Sequence, residues 1–282
     1  MSTDTALNDA APTSTASTTE SAAGPHDGAL PLSEQVVVVT GGARGLGAAL
    51  TAAFLREGAR VVVNYHSSQS AADEIAAAHP EQALAVQADV RDAEQVRSLI
   101  STAREHFGRP VTTVVNNALV DFAFTGDARS KAHEITAEEF EAQFAGSVTG
   151  PLNLIQAALP GMREVGQGRV ITIGTNLFQH PVVPYHDYTA AKAALLSLTR
   201  TFADDLGPDG ITVNMVSGGL LRTTDASAAT PEEVFDAIAA GTPLRKVTIP
   251  EQLADAALFF ASPWSRGVTG QNLIVDGGLV KG

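Results

Sequence analysis

Cysteine is absent from this chain of 282 residues. Its absence excludes a disulfide framework, a thiolate zinc site and a cysteine nucleophile. Basic residues are also scarce, because 18 Lys and Arg stand against 31 Asp and Glu and give a formal net charge of −13. Such an acidic chain disfavours duplex nucleic acid and anionic membranes as partners.

Long apolar runs and clustered histidines are missing as well. No apolar stretch approaches the length of a membrane span, and the seven histidines show no metal-ligand spacing. We therefore expect a soluble, cytoplasmic protein without a bound metal.

The first 30 residues are rich in Ala, Ser and Thr and contain no aromatic residue, lysine or arginine. That composition cannot bury enough apolar surface to offset the entropy lost on ordering. Neither a secretory signal nor a transit peptide fits it. We predict a disordered tail over residues 1–32, followed by one domain over residues 33–282.

Short β-branched runs alternate with longer amphipathic stretches along the rest of the chain. The runs predicted as strands are 35–40, 59–64, 83–88, 112–116, 168–174, 210–216 and 272–276. The stretches predicted as helices are 45–57, 69–79, 92–106, 136–163, 187–206 and 250–261. The strands are apolar almost throughout, which indicates burial on both faces. We predict a single-domain α/β fold, a doubly wound parallel sheet of about seven strands with helices on both faces.

Residues 217–249 break this alternation and are rich in small residues. Long excursions at the carboxyl ends of parallel strands often close over a bound ligand. We interpret this segment as a lid; the alternative is an ordinary surface loop with one short helix.

A glycine-rich segment, TGGARGLG at 40–47, joins the first predicted strand to the first predicted helix. Glycines there let the backbone turn tightly and approach a pyrophosphate at the helix N-terminus. This position between a strand and a helix predicts dinucleotide binding on a Rossmann fold. The loop residues that we assign to the cofactor are Gly41, Ala43, Arg44, Gly45, Leu46 and Gly47.

The end of the second predicted strand indicates which dinucleotide is bound. An NAD site commonly has Asp or Glu there to hold a ribose hydroxyl, but this chain reads NYHSS at 64–68. Arg44 adds a positive charge that can meet a 2′-phosphate, although a solvated loop arginine is the alternative. We expect NADP(H) rather than NAD(H), and we assign Asn64, His66 and Ser67 to the cofactor.

Tyr188 and Lys192 stand four residues apart in an Ala-rich predicted helix, so both side chains leave the same helix face. A nearby ammonium favours phenolate and lowers the tyrosine pKa, which suits proton transfer at a carbonyl or alcohol. The pair alone is weak, since a half-buried tyrosine beside a solvated lysine gives the same spacing.

With these residues in place, the chain resembles the short-chain dehydrogenase/reductase family over about residues 33–280. The pieces that carry the resemblance are TGGARGLG (40–47), ADV (88–90), NNA (116–118), YTAAK (188–192), GITVN (210–214) and TGQNLIVDGG (269–278). The branch that it is most similar to is the 3-oxoacyl-acyl-carrier-protein reductases. The resemblance also implies a homotetramer or homodimer that pairs through two long helices and the C-terminal strand.

The resemblance assigns further residues to the cofactor. Asp89 and Val90 would contact the adenine, and Asn116 and Ala118 the adenosine ribose. Without the resemblance, Asp89 is as easily a helix N-cap. The last two cofactor residues that it implies are Gly219 and Leu221.

The resemblance implies that Tyr188 is the general acid/base and that Lys192 holds the nicotinamide ribose. The catalytic serine of the family is replaced by Thr175, whose hydroxyl can still orient a substrate carbonyl. Two other departures are Leu119, where the family has glycine, and Gly218-Gly219, where it has Pro-Gly.

Ser147 occupies the position of the family's helix-borne catalytic asparagine, whose carbonyl holds a water in a proton relay from the lysine. Pro151 follows four residues later and has no N–H to bond the Ser147 carbonyl. We hypothesise that the relay persists through this carbonyl. The alternative is that the proline only kinks the helix for packing.

Apolar loop residues near these positions favour a lipophilic or acyl-chain carbonyl over a sugar. The substrate candidates are Leu119, Phe122, Phe124, Leu177, Phe178, His180, Tyr185 and Leu220. The function that we predict is NADPH-dependent reduction of a 3-oxoacyl thioester or similar ketone to a secondary alcohol. The alternatives are an alcohol dehydrogenase acting on another small substrate and a nucleotide-binding sensor or scaffold without turnover.

Overall fold

A computed structural model describes residues 1, 29–120, 122, 124, 125, 128–222, 224 and 227–281. The predicted tail over 1–32 lies outside these residues except at its two ends. The N–H of Leu30 donates to the Gln167 side chain at 2.8 Å, and Leu32 packs against the core. Leu30 and Leu32 therefore contact the domain although they precede the predicted boundary at 33.

Seven parallel strands form one sheet with the order β3-β2-β1-β4-β5-β6-β7. The strands are β1 Val36–Val39, β2 Arg60–Tyr65, β3 Ala83–Gln87, β4 Thr113–Asn116, β5 Gly168–Thr175, β6 Ile211–Gly218 and β7 Asn272–Val275. All four valines of β1 are fully buried, as the continuous apolar run predicts. The doubly wound sheet of seven strands is confirmed.

Eight α-helices surround the sheet within the described residues. They are α1 Gly45–Arg56, α2 Gln69–Ala78, α3 Ala93–Phe107, α4 Ala137–Phe144, α5 Gly150–Val165, α6 His186–Leu206, α7 Glu232–Gly241 and α8 Pro250–Ala261. The single long helix predicted over 136–163 is instead α4 and α5, joined by a π-helical turn at Ala145–Thr149. A capping box between Thr136 and Glu139 begins α4.

Two apolar clusters lie on the two faces of the sheet. Val37 and Val39 of β1 pack with α1 and α8, whereas Val36 and Val38 pack with α3 and α5. Alternate side chains of a strand point to opposite faces, so one valine run supplies both cores. Helices on both faces are thereby confirmed.

The segment predicted as a lid contains the end of β6, then α7 and the approach to α8. The N–H of Arg222 donates to the Thr248 carbonyl at 2.9 Å, and its guanidinium pairs with Glu232. Phe235 of α7 is 6% exposed. The segment therefore carries one helix packed on its own loop, and a lid role stays a prediction. No helix in the described part of the chain combines the length and apolarity needed to cross a bilayer.

Candidate active site

Most of the predicted site residues meet at the carboxyl edge of the sheet. The glycine-rich loop follows β1, Asn116 ends β4 and Thr175 ends β5. Carboxyl ends of parallel strands share one edge, and ligands of doubly wound sheets bind in the crevice outside it. The fold thus brings together residues that are more than 130 positions apart in the sequence.

The glycine-rich loop has the backbone that a pyrophosphate requires. Gly41 and Gly45 have φ angles of +61° and +50°, which favour glycine. A Cβ on Gly47 would overlap the carbonyl oxygen of Gly41. Helix α1 starts at Gly45, and its N-cap Arg44 provides no side-chain cap. The N–H groups of this first turn therefore fit an anionic group of a dinucleotide.

Two asparagines hold that loop in shape. The Asn117 amide donates to the Thr40 carbonyl at 2.8 Å, while the Thr40 hydroxyl accepts from the N–H groups of Asn117 and Ala118. Asn64 is 1% exposed, accepts from the Gly41 N–H and donates to the Ala88 carbonyl. The side chain of Asn64 therefore braces the loop, and the assignment of Asn64 to the cofactor stays a prediction. Asn117 was missed, although the doubled asparagine was a signal.

Asp89 lies at the edge where the adenine is expected, close to exposed His66 and Ser67 at the end of β2. Arg91 Nη2 donates to Asp89 at 2.8 Å and, as the main cause, lowers the pKa of that carboxyl. The alternative of Asp89 as the helix N-cap is wrong, because Asp92 caps α3 by accepting two backbone N–H bonds. Arg91 is a residue that the sequence reasoning missed.

Asn116 and Val90 are both buried beside this edge. The Nδ2 of Asn116 has no hydrogen-bond partner among the described residues, so it fits a ligand acceptor such as a ribose oxygen. Val90 is 6% exposed, and its carbonyl accepts from the Asn153 amide at 3.0 Å. A Cβ on Gly150 would lie 2.9 Å from Val90, so α5 packs closely there.

Tyr188, Thr175 and Lys192 come together as predicted, and all three are at most 5% exposed. The Thr175 hydroxyl lies near enough to the Tyr188 phenol to oppose, in part, the effect of burial on its pKa. The Lys192 ammonium lies 5.8 Å from the Tyr188 ring centroid and donates to the Ile173 carbonyl at 2.7 Å. The solvated-lysine alternative is therefore wrong.

The direction of the tyrosine pKa differs from the sequence-based expectation. Burial raises the pKa of Tyr188 to about 12, and the Thr175 hydroxyl opposes this only in part. Burial also lowers the pKa of Lys192 to about 8. The predicted lowering by Lys192 is wrong in this arrangement, because removal of the phenolate from water dominates. Tyr188 is therefore a neutral phenol at pH 7 and suits the role of proton donor.

Ser147 lies within the π-helical turn and is 2% exposed. The Gly150 N–H donates to the Ala145 carbonyl five residues back, and Pro151 has no N–H for the Ser147 carbonyl. Single π-helical turns inside helices are frequent at functional sites. Helix α6, which carries Tyr188 and Lys192, packs against this turn.

Aromatic side chains pack around the ring of Tyr188. Phe122 stacks on its ring with centroids 4.5 Å apart, and Phe124 makes an edge contact at 5.7 Å. Tyr185 is 4% exposed and contacts both phenylalanines edge-on. Three predicted substrate residues thus lie around the phenol.

The other substrate candidates divide into two groups. Leu177 and Phe178 line, with Tyr185, a groove of about 770 Å³ between α4, the 181–184 loop and α6. His180 is exposed and does not line that groove. Leu119 and Leu220 are half-buried after β4 and β6.

The two residues expected at the cofactor after β6 differ in their surroundings. A Cβ on Gly219 would lie 3.0 Å from the Asn176 amide, next to Thr175. Leu221 packs against the core cluster of α1 and α8. No group of three His, Asp or Glu residues that could hold a metal ion occurs in the described ranges.

Comparisons with known proteins identify relatives over most of the chain. A family model described as Enoyl-(Acyl carrier protein) reductase matches residues 41–280. An uncharacterized oxidoreductase of Methylorubrum extorquens is 35% identical over 254 residues, covering 88% of this chain and 98% of that protein. The 3-oxoacyl-[acyl-carrier-protein] reductase of a Synechocystis species is 34% identical over 253 residues, covering 88% and 98%. A solved double mutant of a Serratia marcescens short-chain dehydrogenase/reductase has a TM-score of 0.77 at 30% identity, covering 89% of this chain and 99% of that one.

Proposed function

The chain belongs to the short-chain dehydrogenase/reductase family of NAD(P)-dependent oxidoreductases, and on this premise we propose that it uses NADPH to reduce a lipophilic ketone, such as a 3-oxoacyl thioester, to a secondary alcohol. The observation that carries the proposal is the burial of Tyr188 and Lys192 together on α6 at the carboxyl edge of the sheet, where Thr175 is buried at the end of β5. The apolar surroundings of the phenol favour a lipophilic substrate.

In the proposed mechanism, the glycine-rich loop and Lys192 would hold NADPH, which would supply the hydride for the carbonyl carbon. Tyr188 donates its phenol proton to the carbonyl oxygen, and the Thr175 hydroxyl orients that oxygen. A tyrosine pKa of about 12 keeps the phenol protonated at neutral pH, as a proton donor to the carbonyl oxygen must be. Lys192, held by the Ile173 carbonyl, would bind the nicotinamide ribose.

The preference for NADPH rests on charge at the end of β2. Residues 64–68 contain no carboxylate, and Arg91 already engages Asp89 in a charge-assisted bond. Arg44, His66 and Ser67 are the residues that would meet a 2′-phosphate. The measurement is kcat/KM with NADPH and NADH for the wild type and for Arg44→Ala. We expect NADPH to be favoured at least 10-fold and the variant to lose most of that preference; equal values in the wild type would contradict the assignment.

We also propose that the proton lost by Tyr188 is replaced through Lys192 and a water on the Ser147 carbonyl. The π-helical turn and the missing N–H of Pro151 support a carbonyl available to that water. This route needs no asparagine side chain at position 147.

A quaternary arrangement through the long helices and β7 is also proposed, as a homotetramer or homodimer. Exposed apolar side chains support a covered surface: Trp264 is 83% exposed, Val182 65% and Leu273 40%. Light scattering after size exclusion gives the mass directly, and a monomer at micromolar concentration would contradict the arrangement.

Turnover distinguishes the reductase from a nucleotide-binding sensor. The wild type is mixed with NADPH and a panel of 3-oxoacyl thioesters, diketones and quinones, beside Tyr188→Phe. We expect Tyr188→Phe to lower kcat by about 10²- to 10⁴-fold while NADPH affinity is retained. Thr175→Ser keeps the hydroxyl and serves as the matched control, with activity near that of the wild type. NADPH binding without turnover on any carbonyl would favour the sensor.

A further inference from the structure

Four aromatic rings form a box at the catalytic tyrosine: Phe122, Phe124, Tyr185 and Tyr188. Phe122 stacks on Tyr188 with a centroid distance of 4.5 Å and an interplanar angle of 26°. Phe124 and Tyr185 meet the Tyr188 ring edge-on at 5.7 and 6.4 Å. The box is therefore made of contacts whose strength depends on aromatic rings and their orientation.

A charged pair holds Phe122 in this box. Asp187, the residue before Tyr188, pairs with Arg129, whose Cζ lies 4.5 Å from the Phe122 ring centroid. The Asp187 side chain is 2% exposed, and its Oδ1 has no partner among the described residues. The pair links Phe122 to the first turn of α6, next to the proton donor.

The position of Phe122 has a consequence for any substrate. Tyr188 is 5% exposed and Phe122 stacks on its ring, so we expect a ketone that reaches the phenol to displace part of Phe122. An aromatic substituent can replace the ring contacts of Phe122 with Tyr188, Phe124 and Tyr185. An alkyl chain cannot replace these ring contacts. Each aromatic pair contributes about 0.5 to 1.5 kcal/mol beyond the effect of its buried area.

We propose that the aromatic box selects ketones whose carbonyl is attached to an aromatic ring, with Phe122 occupying the place of that ring. The proposal rests on the proposed reductase function and narrows its substrate class. Phe124 and Tyr185 are then specificity-determining residues. Phe122 lowers the apparent affinity for every ketone, because each substrate has to displace it.

The test compares acetophenone with cyclohexyl methyl ketone, which have the same carbon count and differ in the aromaticity of the ring. The ratio of kcat/KM values is measured with NADPH for the wild type, Phe124→Leu, Phe122→Leu and a control. Phe259→Leu is the matched control, because Phe259 is a half-buried ring in α8 that contacts Phe260.

We expect the wild type to favour acetophenone at least 5-fold. Phe124→Leu should lower that ratio by about 2- to 13-fold, the factor that corresponds to about 0.5 to 1.5 kcal/mol at 25 °C. Phe122→Leu should lower KM for both ketones and leave their ratio unchanged. Phe259→Leu should change neither quantity.

The outcomes separate this inference from the proposed function. A wild type that reduces the two ketones with ratios within 2-fold overturns the aromatic box alone. Turnover of 3-oxoacyl thioesters without turnover of acetophenone also overturns it, as does a Phe124→Leu ratio equal to that of the wild type. Failure to reduce any ketone, thioester or quinone overturns the reductase itself.

Discussion

Lys192 offers a thermodynamic test of the buried site, through the pH dependence of stability. Burial lowers its pKa to about 8 from the ordinary 10.5, so between these values the unfolded chain binds a proton that the folded chain has released. The free energy of unfolding must therefore rise with pH in this window. The gain in the free energy of unfolding that comes from the lowered pKa of Lys192 is therefore complete above pH 10.5, and it is lost as the pH falls through 8.

The magnitude follows from the size of the pKa shift. Each unit is worth about 1.4 kcal/mol, and a window from pH 8 to 10 spans two units, so the effect is about 2 to 3 kcal/mol. The full value applies because Lys192 is only 4% exposed. Tyr188 changes the free energy of unfolding in the opposite direction with pH. Its raised pKa stabilises the folded protein below pH 10, and this stabilisation is lost as the pH rises through 12.

The assay is urea unfolding of the wild type and Lys192→Met from pH 7 to 10, at one fixed protein concentration. The difference in the free energy of unfolding between the two proteins removes the contribution of groups distant from Lys192. Tyr188, with a pKa of about 12, titrates above this pH range. We expect the free energy of unfolding of the wild type, relative to that of Lys192→Met, to rise by about 2 to 3 kcal/mol from pH 7 to 10. Lys246→Met removes an exposed lysine and serves as the control. The difference in the free energy of unfolding between this variant and the wild type should not change with pH. A flat or falling difference for Lys192→Met would refute the buried, neutralised lysine.

Three further predictions concern the proton relay, the charged pair and the glycine-rich loop. Pro151→Ala should cut kcat well below that of Ser147→Ala, because it restores an N–H to the Ser147 carbonyl. Equal and negligible effects of the two substitutions in steady-state kinetics would contradict the relay. Arg129→Met should lower the free energy of unfolding by about 3 kcal/mol, since it leaves the Asp187 carboxylate buried and unpaired, and a loss below 1 kcal/mol in urea unfolding would contradict a buried pair. Gly47→Ala should abolish measurable NADPH affinity by fluorescence titration, because its Cβ overlaps a loop carbonyl; unchanged affinity would disprove the tight turn.

The strands and the glycine-rich loop could be predicted because their signals are local. A run such as VVVV at 36–39 is apolar at every position, and only burial on both faces suits it. The residues at the strand ends then had to meet at one edge, whatever the details of packing. The predicted helix over 136–163 failed at one point, since a period of 3.6 residues does not reveal one turn with i→i+5 bonds.

Side-chain roles were harder to predict where they depend on a distant partner. Asn64 was assigned to the cofactor from its position, but its amide is used by Ala88 and the Gly41 N–H. Asp89 was given as a possible N-cap from sequence, but the backbone geometry shows that Asp92 caps α3. Short-range pattern gives the place of a polar side chain but not the group that satisfies it.

The sequence by itself determined that Tyr188 and Lys192 share a helix face, because four residues make about one helical turn. It also determined the fold, since apolar runs typical of buried strands alternate along the chain with amphipathic stretches typical of helices. Only the tertiary structure decided the chemistry of the pair. Phe122 and Thr175, from other parts of the fold, lie next to Tyr188. The Ile173 carbonyl accepts a hydrogen bond from the Lys192 ammonium. The energy of a buried charge depends on all of its neighbours in space, so the direction of both pKa shifts follows from packing.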